Sequence, residues 1–176
     1  METETREDIL MSKIIKFYSD SKNMNAFKLM HDNTKSPISL RILDWFSTNY
    51  SKKYGISYMV KKGIEYKHFN VYVEYKSQLD AYSKKYFDPF CRRNRIKFNI
   101  SKNDYIITTV GQLNFFRWVI ENDIIKYILA NYEDIENDMN KIHKEQYGNK
   151  KDTKTRKKRE KLVSKNNINI STINQL

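Results

Sequence analysis

The sequence predicts a mainly α-helical α+β fold, with one compact helical domain and a small β-hairpin over residues 1–148 and a flexible basic tail over 149–176. Only four glycines and two prolines punctuate the 176 residues, which favours long helices over an all-β sandwich. Hydrophobic residues make up 39% and aromatic residues 14% of the chain, enough to fill an ordinary core. Apolar residues also recur at helical spacing in several segments.

The first helix is predicted from a cap and a stripe. Thr5 or Asp8 can cap it, and it should end near Ser19. The apolar residues of this helix are Leu10, Met11, Ile14, Ile15, Phe17 and Tyr18. The polar segment SDSKN, 19–23, predicts a loop.

A second helix should run from Ser39 to Gly55. The Ser39 hydroxyl can accept from the amides of the first turn, and Gly55 suits a left-handed C-terminal cap. Its stripe is Ile42, Leu43, Phe46 and Tyr50. The alternation of Ile56, Tyr58 and Val60 then predicts a short strand, with a turn at Gly63.

A third helix should begin after Asn70 and end before Pro89, because the residue preceding a proline avoids the helical region. Its apolar residues are Val71, Tyr75, Leu79, Tyr82 and Tyr86. A β-hairpin follows, with SKND (101–104) as its turn. The alternating residues of the hairpin are Ile96, Phe98 and Ile100, then Tyr105 and Ile107.

The segment Thr109–Glu121 reads as the central helix of the core. Thr109 and Gln112 have the spacing of a capping box. The apolar residues of this helix are Leu113, Phe116, Trp118, Val119 and Ile120, too many for an exposed helix. Asn122 and Asp123 should interrupt it.

The last predicted helix begins near Ile124 and carries a heptad seam over 124–142. The seam consists of Ile125, Tyr132 and Met139 at one position and Ile128, Ile135 and Ile142 at the other. Such a helix can pack on the domain or pair with another copy. After Gly148 no apolar periodicity remains, so 149–176 should stay flexible.

Charge is partitioned along the chain. Residues 1–120 carry 21 basic and 12 acidic residues, a net of +9; 121–149 carry −4, from 3 and 7; and 150–165 carry +7, from 9 and 2. This order favours a polyanionic partner, and nucleic acid is the commonest one.

The segment Lys84–Lys102, KKYFDPFCRRNRIKFNISK, is the first candidate nucleic-acid site. It mixes seven basic residues and one acidic residue with aromatic residues. Arginine can contact phosphates or guanine, and aromatic rings stack on unpaired bases. Alternatively, the aromatics are core and the arginines form a solvated or internally paired rim. The candidate contacts are Lys84, Lys85, Arg92, Arg93, Arg95 and Lys97.

A helix-turn-helix is a second option, with Thr109–Glu121 and the following helix as its helices and 95–107 as a wing. The only base-reading side chains on the first of these helices are Gln112, Asn114 and Arg117. The next helix is acidic and would be repelled by phosphate. Core packing is therefore the preferred interpretation of this pair.

The basic tail is the second candidate site. It can bind phosphate by counterion release, and TRKKREK also fits a nuclear-localisation signal. Alternatively it is a solubilising tail, or it folds back on the acidic helix. The candidate contacts are Lys150, Lys151, Lys154, Arg156, Lys157, Lys158, Arg159 and Lys161.

Catalytic and metal-binding signals are weak, so neither an enzyme, a metal nor a cofactor is predicted. Cys91 is alone, and the three histidines lack ligand spacing. There is no phosphate-binding loop and no serine-nucleophile elbow. Cys91 could act as a nucleophile activated by its arginine neighbours. A metal-dependent phosphoryl-transfer enzyme remains an alternative through Asp44, Asp80, Asp88 or Asp104, which no spacing singles out.

The N-terminal sequence METETREDIL has acidic residues where a signal peptide needs positive charge, and no apolar run approaches the roughly 18–20 residues of a membrane span. A soluble intracellular protein without membrane contact is expected.

Three blocks resemble an uncharacterised protein family of giant, mimivirus-like nucleocytoplasmic large DNA viruses. They are SLRILDWFSTNYSKKYGISY (39–58), YKSQLDAYSKKYFDPFCRRNRI (75–96) and TTVGQLNFFRW (108–118). The likeness extends over about residues 16 to 140. It implies a setting in the host cytoplasm, the viral factory or the virion, with the nucleus as an option through the basic tail.

The leading hypothesis is a viral accessory protein that binds nucleic acid, DNA before RNA, in genome packaging or viral gene expression. The alternative is a virion structural or assembly protein without enzymatic activity. It would contact another copy or a viral protein through the 124–142 helix.

Overall fold

The structure is a computed structural model that describes residues 5–32, 36–91 and 93–148. The predicted tail and Arg92 lie outside the described residues. Helices and two small hairpins form the described chain, which confirms the mainly helical α+β fold. The elements are α1 (Arg6–Tyr18), α2 (Ser21–His31), α3 (Leu40–Trp45), a π-helical segment (Phe46–Tyr50), α4 (Ser51–Tyr54), β1 (Ser57–Lys62), β2 (Glu65–Asn70), α5 (Val71–Phe87), β3 (Ile96–Asn99), β4 (Tyr105–Thr108), α6 (Val110–Glu121), α7 (Ile124–Ala130) and α8 (Tyr132–Gly148).

Helix α1 begins as predicted, with a reciprocal cap. The Asp8 amide donates to the Thr5 hydroxyl at 3.2 Å, and the Thr5 amide donates to the Asp8 carboxylate at 2.9 Å. The loop predicted over 19–23 is wrong after its second residue. The Asp20 carboxylate accepts from two amides of the first turn of α2 and so begins another helix.

The helix predicted between Ser39 and Gly55 is present with both of its caps. The Ser39 hydroxyl accepts from an amide of the first turn, and Gly55 adopts φ 62° and ψ 39°. The middle of the helix, Phe46–Tyr50, is π-helical, which was not predicted. The hydroxyls of Ser47 and Ser51 donate to the carbonyls four residues before them, at 2.8 and 2.9 Å, a contact that often bends helices.

Two antiparallel hairpins are present where one was predicted. The first pairs β1 with β2, from Ser57 opposite Asn70 to Lys62 opposite Glu65, and turns at Gly63 with φ 65°. Strand β2 was missed because Phe69 alone among its residues is buried, so no apolar alternation marks it. The second hairpin pairs β3 with β4 as predicted.

Helix α5 begins after Asn70 as predicted, and the Asn70 side chain accepts from an amide of its first turn at 3.0 Å. The helix is broken at Ser83, where φ is 62° and ψ is 168°. Such a conformation is strained for any residue other than glycine. The Arg6 guanidinium donates to the carbonyl of Ala81 beside this break, which ties α1 to α5.

Helix α6 is the centre of the core, and most of its residues are buried. The rings of Phe87, Phe115 and Trp118 contact one another, with centroids 5.6–5.9 Å apart. Asn114 is fully buried and donates to the Tyr86 carbonyl at 2.9 Å. A helix buried in this way cannot itself enter a DNA groove, which agrees with core packing as the preferred interpretation of α6.

The chain breaks at Asp123 as predicted, but it breaks again at Asn131, so the single helix predicted from Ile124 is wrong there. The seam residues Ile128, Ile135 and Met139 are buried within the domain. Within the described ranges no helix has the length and hydropathy of a membrane span.

Candidate nucleic-acid interface

The second hairpin has an inward and an outward face, which its register defines. Ile96 pairs with Thr108, and Phe98 pairs with Ile106. Phe98 is 7% exposed, and its ring packs 5.6 Å from that of Tyr18 on α1 and 6.0 Å from that of Phe27 on α2. The inward face therefore attaches the hairpin to the helical core.

The outward face of the hairpin, Lys97, Asn99, Tyr105 and Ile107, is exposed. Lys97 pairs with Ile107, and Asn99 pairs with Tyr105. The Lys97 ammonium stands 4.9 Å from the centroid of the Tyr105 ring, within cation–π range. Tyr105 is 49% exposed and Ile107 is 45% exposed. This face therefore combines a cation with an accessible ring.

The segment 88–95 leads into β3 and adds to this surface. Asp88 shapes the turn, because its carboxylate accepts from the Phe90 amide at 2.8 Å and its carbonyl accepts from the Cys91 amide at 3.2 Å. The Phe90 side chain remains exposed at 45%. Arg93 and Arg95 are also exposed. Three of the predicted contacts, Arg93, Arg95 and Lys97, therefore lie on the hairpin or on the segment directly before it.

A small cavity of about 220 Å³ lies at the base of the second hairpin and is called here the hairpin cavity. Its polar lining comes from His31, Arg95, Thr108, Thr109 and Gln112, and Phe90 and Ile107 contribute to its apolar lining. The Thr109 hydroxyl caps α6 by accepting from the Gln112 amide at 3.1 Å. The cavity thus lies between α2, α6, strand β4 and the segment that leads into β3.

The other predicted contacts on the domain lie at the end of α5. Lys84 is exposed. The Lys85 ammonium lies 2.8 Å from the Tyr86 hydroxyl and 3.4 Å from the Glu7 carboxylate, and the Tyr86 hydroxyl donates to Glu7 at 2.7 Å. The hydrogen bond with Tyr86 is the main reason that the pKa of Lys85 is raised. Lys85 therefore faces α1 and is partly engaged within the domain.

The aromatic residues of the Lys84–Lys102 segment divide between two uses. Phe87 and Phe98 are buried, and Tyr86 is bonded to Glu7. Phe90 alone among the predicted aromatics stays substantially exposed. The predicted alternative, that the aromatics are core, is therefore right for two of them. Arg92 and the tail contacts 150–161 lie outside the described residues.

Sequence reasoning missed three residues of this surface. Tyr105 and Ile107 were assigned to a strand, but its outward face was not identified, although side chains alternate between the two faces along a strand. His31 was missed because helix α2 was read as a loop at its start. Gln112 was named as a capping and a base-reading residue, but not as part of a cavity.

The first hairpin presents another exposed surface that was not predicted. Residues 61–68 are all exposed, and Ile64 at its tip is 96% exposed. Met59 and Tyr66, at 55% and 66%, share the face that points away from the core. The first hairpin therefore exposes three large apolar or aromatic side chains, beside the exposed Lys61, Lys62 and Lys67.

Among the carboxylates, Asp44 has the most perturbed environment. Burial and the nearby Asp88 raise its pKa to about 6. Asp44 and Asp88 are two of the four aspartates that the sequence offered for a metal-dependent enzyme. Across the described ranges no group of three or more His, Cys, Asp and Glu residues is placed to hold a metal ion.

Comparison with known proteins agrees with the resemblance that the sequence indicated. The chain is 42% identical over 144 residues to the uncharacterized protein L507 of Acanthamoeba polyphaga mimivirus. The match covers 79% of this chain and 56% of L507, so the chain spans little more than half of that relative. No solved structure matches. A family model matches residues 2–175, nearly the whole sequence, and this chain therefore belongs to the family of unknown function DUF7197.

Proposed function

We propose that this chain is a non-catalytic nucleic-acid-binding protein, with DNA as the first ligand to test, and that it binds through the outward face of the second hairpin. The observation that supports the proposal best is the cation–π contact of Lys97 with Tyr105 on an exposed face. Arg93 and Arg95 adjoin this face, so cations for phosphates stand beside rings for bases.

The arrangement suits a strand with unpaired bases. A two-stranded ribbon with side chains on one open face lets a backbone lie along its cations while bases stack on Tyr105 and Phe90. Phosphate contacts of this kind are lost as salt rises, because bound counterions are no longer released favourably. The net charge of +12 and the basic tail would add attraction without sequence preference.

Binding of the full-length protein to labelled single- and double-stranded DNA tests the proposal, by fluorescence anisotropy across a salt series. The double variant Arg95→Gln/Lys97→Gln should lower the slope of log affinity against log salt by about 2, roughly 1 for each lost phosphate contact. Lys76→Gln/Lys144→Gln removes the same charge from exposed sites on α5 and α8, and is the matched control.

The same assay must distinguish binding by the tail from binding by the domain. Full-length protein in which the basic residues of 150–165 are changed to Gln should bind more weakly but keep its dependence on Arg95 and Lys97. If the hairpin double variant and its control bind alike in this background, the hairpin is not the site. Loss of all binding with the neutral tail would make the tail the binding element.

A viral setting extends this proposal. The mimivirus relative suggests the host cytoplasm, the viral factory or the virion as the place of action, and genome packaging or viral gene expression as the process. Localisation of tagged protein during infection, together with sequencing of cross-linked nucleic acid, would distinguish packaging from expression.

A second candidate function is assembly through protein contacts, which the first hairpin favours. Ile64, Met59 and Tyr66 expose apolar side chains on a projecting element, and such patches often mark protein interfaces. Sedimentation velocity over a concentration series tests self-assembly, with Ile64→Asp as the disrupting variant. A monomer at every concentration would count against self-assembly.

A further inference from the structure

We propose that the hairpin cavity holds one unpaired base of a bound single strand, and that it prefers adenine. This inference rests on the proposed function and adds a specific subsite to it. Arg95 and Ile107 are exposed and line the cavity, so it adjoins the outward face on which the backbone would lie.

The size and lining of the hairpin cavity fit a single ring system. Its volume of about 220 Å³ is below the roughly 300–1,000 Å³ of sites that enclose a whole drug-sized ligand. No described lining residue is acidic, and the lining combines apolar with hydrogen-bonding side chains. A larger groove of about 450 Å³ lies along β3 against Met11, Ile15 and Met24, and its mainly apolar lining suits a polar base less well.

Phe90 and Arg95 contribute binding affinity that does not depend on which base enters the cavity. Phe90 keeps a large exposed area although it lines the cavity, so its ring is available to stack on an entering base. Arg95 is exposed at the same opening and can contact the adjoining phosphate. Neither contact distinguishes one base from another.

Gln112 determines the preference for adenine. The Thr108 hydroxyl donates to the Gln112 side-chain oxygen at 2.7 Å and so fixes the amide within the cavity wall. In the described part of the chain the Gln112 amide nitrogen has no protein acceptor, and its oxygen keeps a second lone pair. A glutamine amide can bond adenine at N6 and N7 simultaneously, whereas guanine, a base of the same shape, presents two acceptors on that edge.

His31 adds a hydrogen-bond acceptor to the wall of the hairpin cavity. Burial lowers its pKa, against the opposing effects of a hydrogen bond with the Ile107 backbone and of the nearby Asp32. A neutral imidazole that donates from one nitrogen accepts at the other. Such an acceptor complements the N6 amino group of adenine, in whose place guanine has a carbonyl oxygen.

The test uses the full-length protein and labelled single strands of about 12 nucleotides, within the range of site sizes for single-strand binders. In a thymine background, alternate positions carry either dA or dG. The dA strand should bind roughly 10-fold more tightly than the dG strand, because guanine has a carbonyl oxygen where adenine has its N6 amino group. Gln112→Met should abolish this preference with little effect on the dG strand, and Gln146→Met, on the exposed face of α8, is the matched control.

Two further variants keep the test informative if Gln112→Met folds poorly. Thr108→Val preserves the shape of a buried β-branched side chain but removes the hydroxyl that orients Gln112, and should also reduce the preference. Phe90→Ala should weaken binding to every single strand roughly 10-fold and leave duplex binding unchanged.

The possible results separate this inference from the proposed function. Salt-sensitive binding that depends on Arg95 and Lys97 but is equal for dA and dG strands would overturn the adenine site alone. A preference that survives both Gln112→Met and Thr108→Val would also overturn it. No binding to any strand would overturn the inference and the proposed function together.

Discussion

The Tyr18 hydroxyl donates a 2.8 Å hydrogen bond to the carbonyl of Leu113, which joins α1 to the central helix α6. The ring of Tyr18 also packs edge-on against Phe98 on the inward face of the second hairpin. Burial raises the pKa of Tyr18 well above its usual value, so the hydroxyl stays protonated and keeps donating. One side chain therefore connects the core to the hairpin of the candidate interface.

Replacing Tyr18 by phenylalanine separates the effect of its hydrogen bond from the effect of its ring contact. Tyr18→Phe keeps the ring contact with Phe98 but removes the buried hydrogen bond to the Leu113 carbonyl, which should lower the free energy of unfolding by about 1–2 kcal/mol. Urea denaturation followed by circular dichroism measures the loss. DNA affinity below the transition should be unchanged, and a large loss of affinity would mean that the hydroxyl also shapes the hairpin.

Substituting Gly111 should disturb the contact between α6 and α5. A Cβ atom at this position would lie 2.9 Å from the Lys85 carbonyl oxygen and 3.2 Å from that of Asp88. Backbone atoms cannot move aside as the end of a flexible side chain can, so Gly111→Ala should lower the free energy of unfolding by about 1–3 kcal/mol. Thermal unfolding measures the change, and a melting temperature equal to that of the native protein would contradict the close approach.

Ser83 offers the opposite prediction, a gain in stability. Its φ of 62° and ψ of 168° are accessible to glycine but strained for serine. Ser83→Gly should therefore raise the free energy of unfolding by about 1 kcal/mol after the greater flexibility of glycine in the unfolded chain is included. Ser83→Ala retains the strain and is the control. If the two variants unfold alike in urea, the break does not store strain.

Much of the fold could be predicted from local signals, because most elements carry their own caps. The predicted caps Thr5, Ser39 and Thr109 all accept hydrogen bonds from the first turns of their helices. Helix α2 was missed since its cap, Asp20, stands in a polar segment that also resembles a loop. The apolar face of α2, Phe27 and Met30, becomes visible only when α6 packs against it.

The candidate interface was predictable only in part, for a different reason. Periodicity located the second hairpin, and composition pointed to its arginines. Phe87 and Phe90 look equivalent in sequence, yet Phe87 packs on Trp118 in the core and Phe90 lies at the surface. Which ring can stack on a base is decided by tertiary contacts between residues far apart in the chain. The hairpin cavity likewise combines residues from separate elements.

Asp138 on α8 anchors that helix to the segment 40–54. Its carboxylate accepts from the Trp45 indole at 3.1 Å, from the Tyr54 hydroxyl at 3.1 Å and from the Lys53 ammonium. Burial acts to raise the pKa of Asp138, but these donors outweigh it and hold the pKa below its ordinary value. The carboxylate therefore stabilises the fold above about pH 4, and this contribution is lost as pH falls through the lowered pKa.

Asp138→Asn should lower the free energy of unfolding at pH 7 by about 2 kcal/mol, because a charged acceptor of several hydrogen bonds is lost. The Lys53 side chain is half exposed, which keeps the cost below that of breaking a fully buried ion pair. Urea denaturation at pH 7 and near pH 3 measures it. The difference from the native protein should shrink at the lower pH, and a constant difference would rule out the charge as its source.

The pKa of Asp44 is shifted in the opposite direction from that of Asp138, so its effect on stability has the opposite dependence on pH. Its pKa is raised from the ordinary 3.8 to about 6 by burial and by Asp88, so the folded protein holds a proton that the unfolded chain releases. The folded state is therefore favoured below pH 3.8, and this advantage is lost as pH rises to about 6. At pH 7 the ionised Asp44 destabilises the fold.

Asp44→Asn should consequently raise the free energy of unfolding at pH 7. Each pKa unit corresponds to about 1.4 kcal/mol, but this carboxyl is only partly buried and solvent screens it, so we expect a gain of about 1 kcal/mol. The gain should disappear near pH 3.5, where aspartic acid and asparagine are both neutral. Urea denaturation at the two pH values measures it, with Asp80→Asn, at an exposed site on α5, as the control. A gain of equal size at both pH values would show that packing and not charge is responsible.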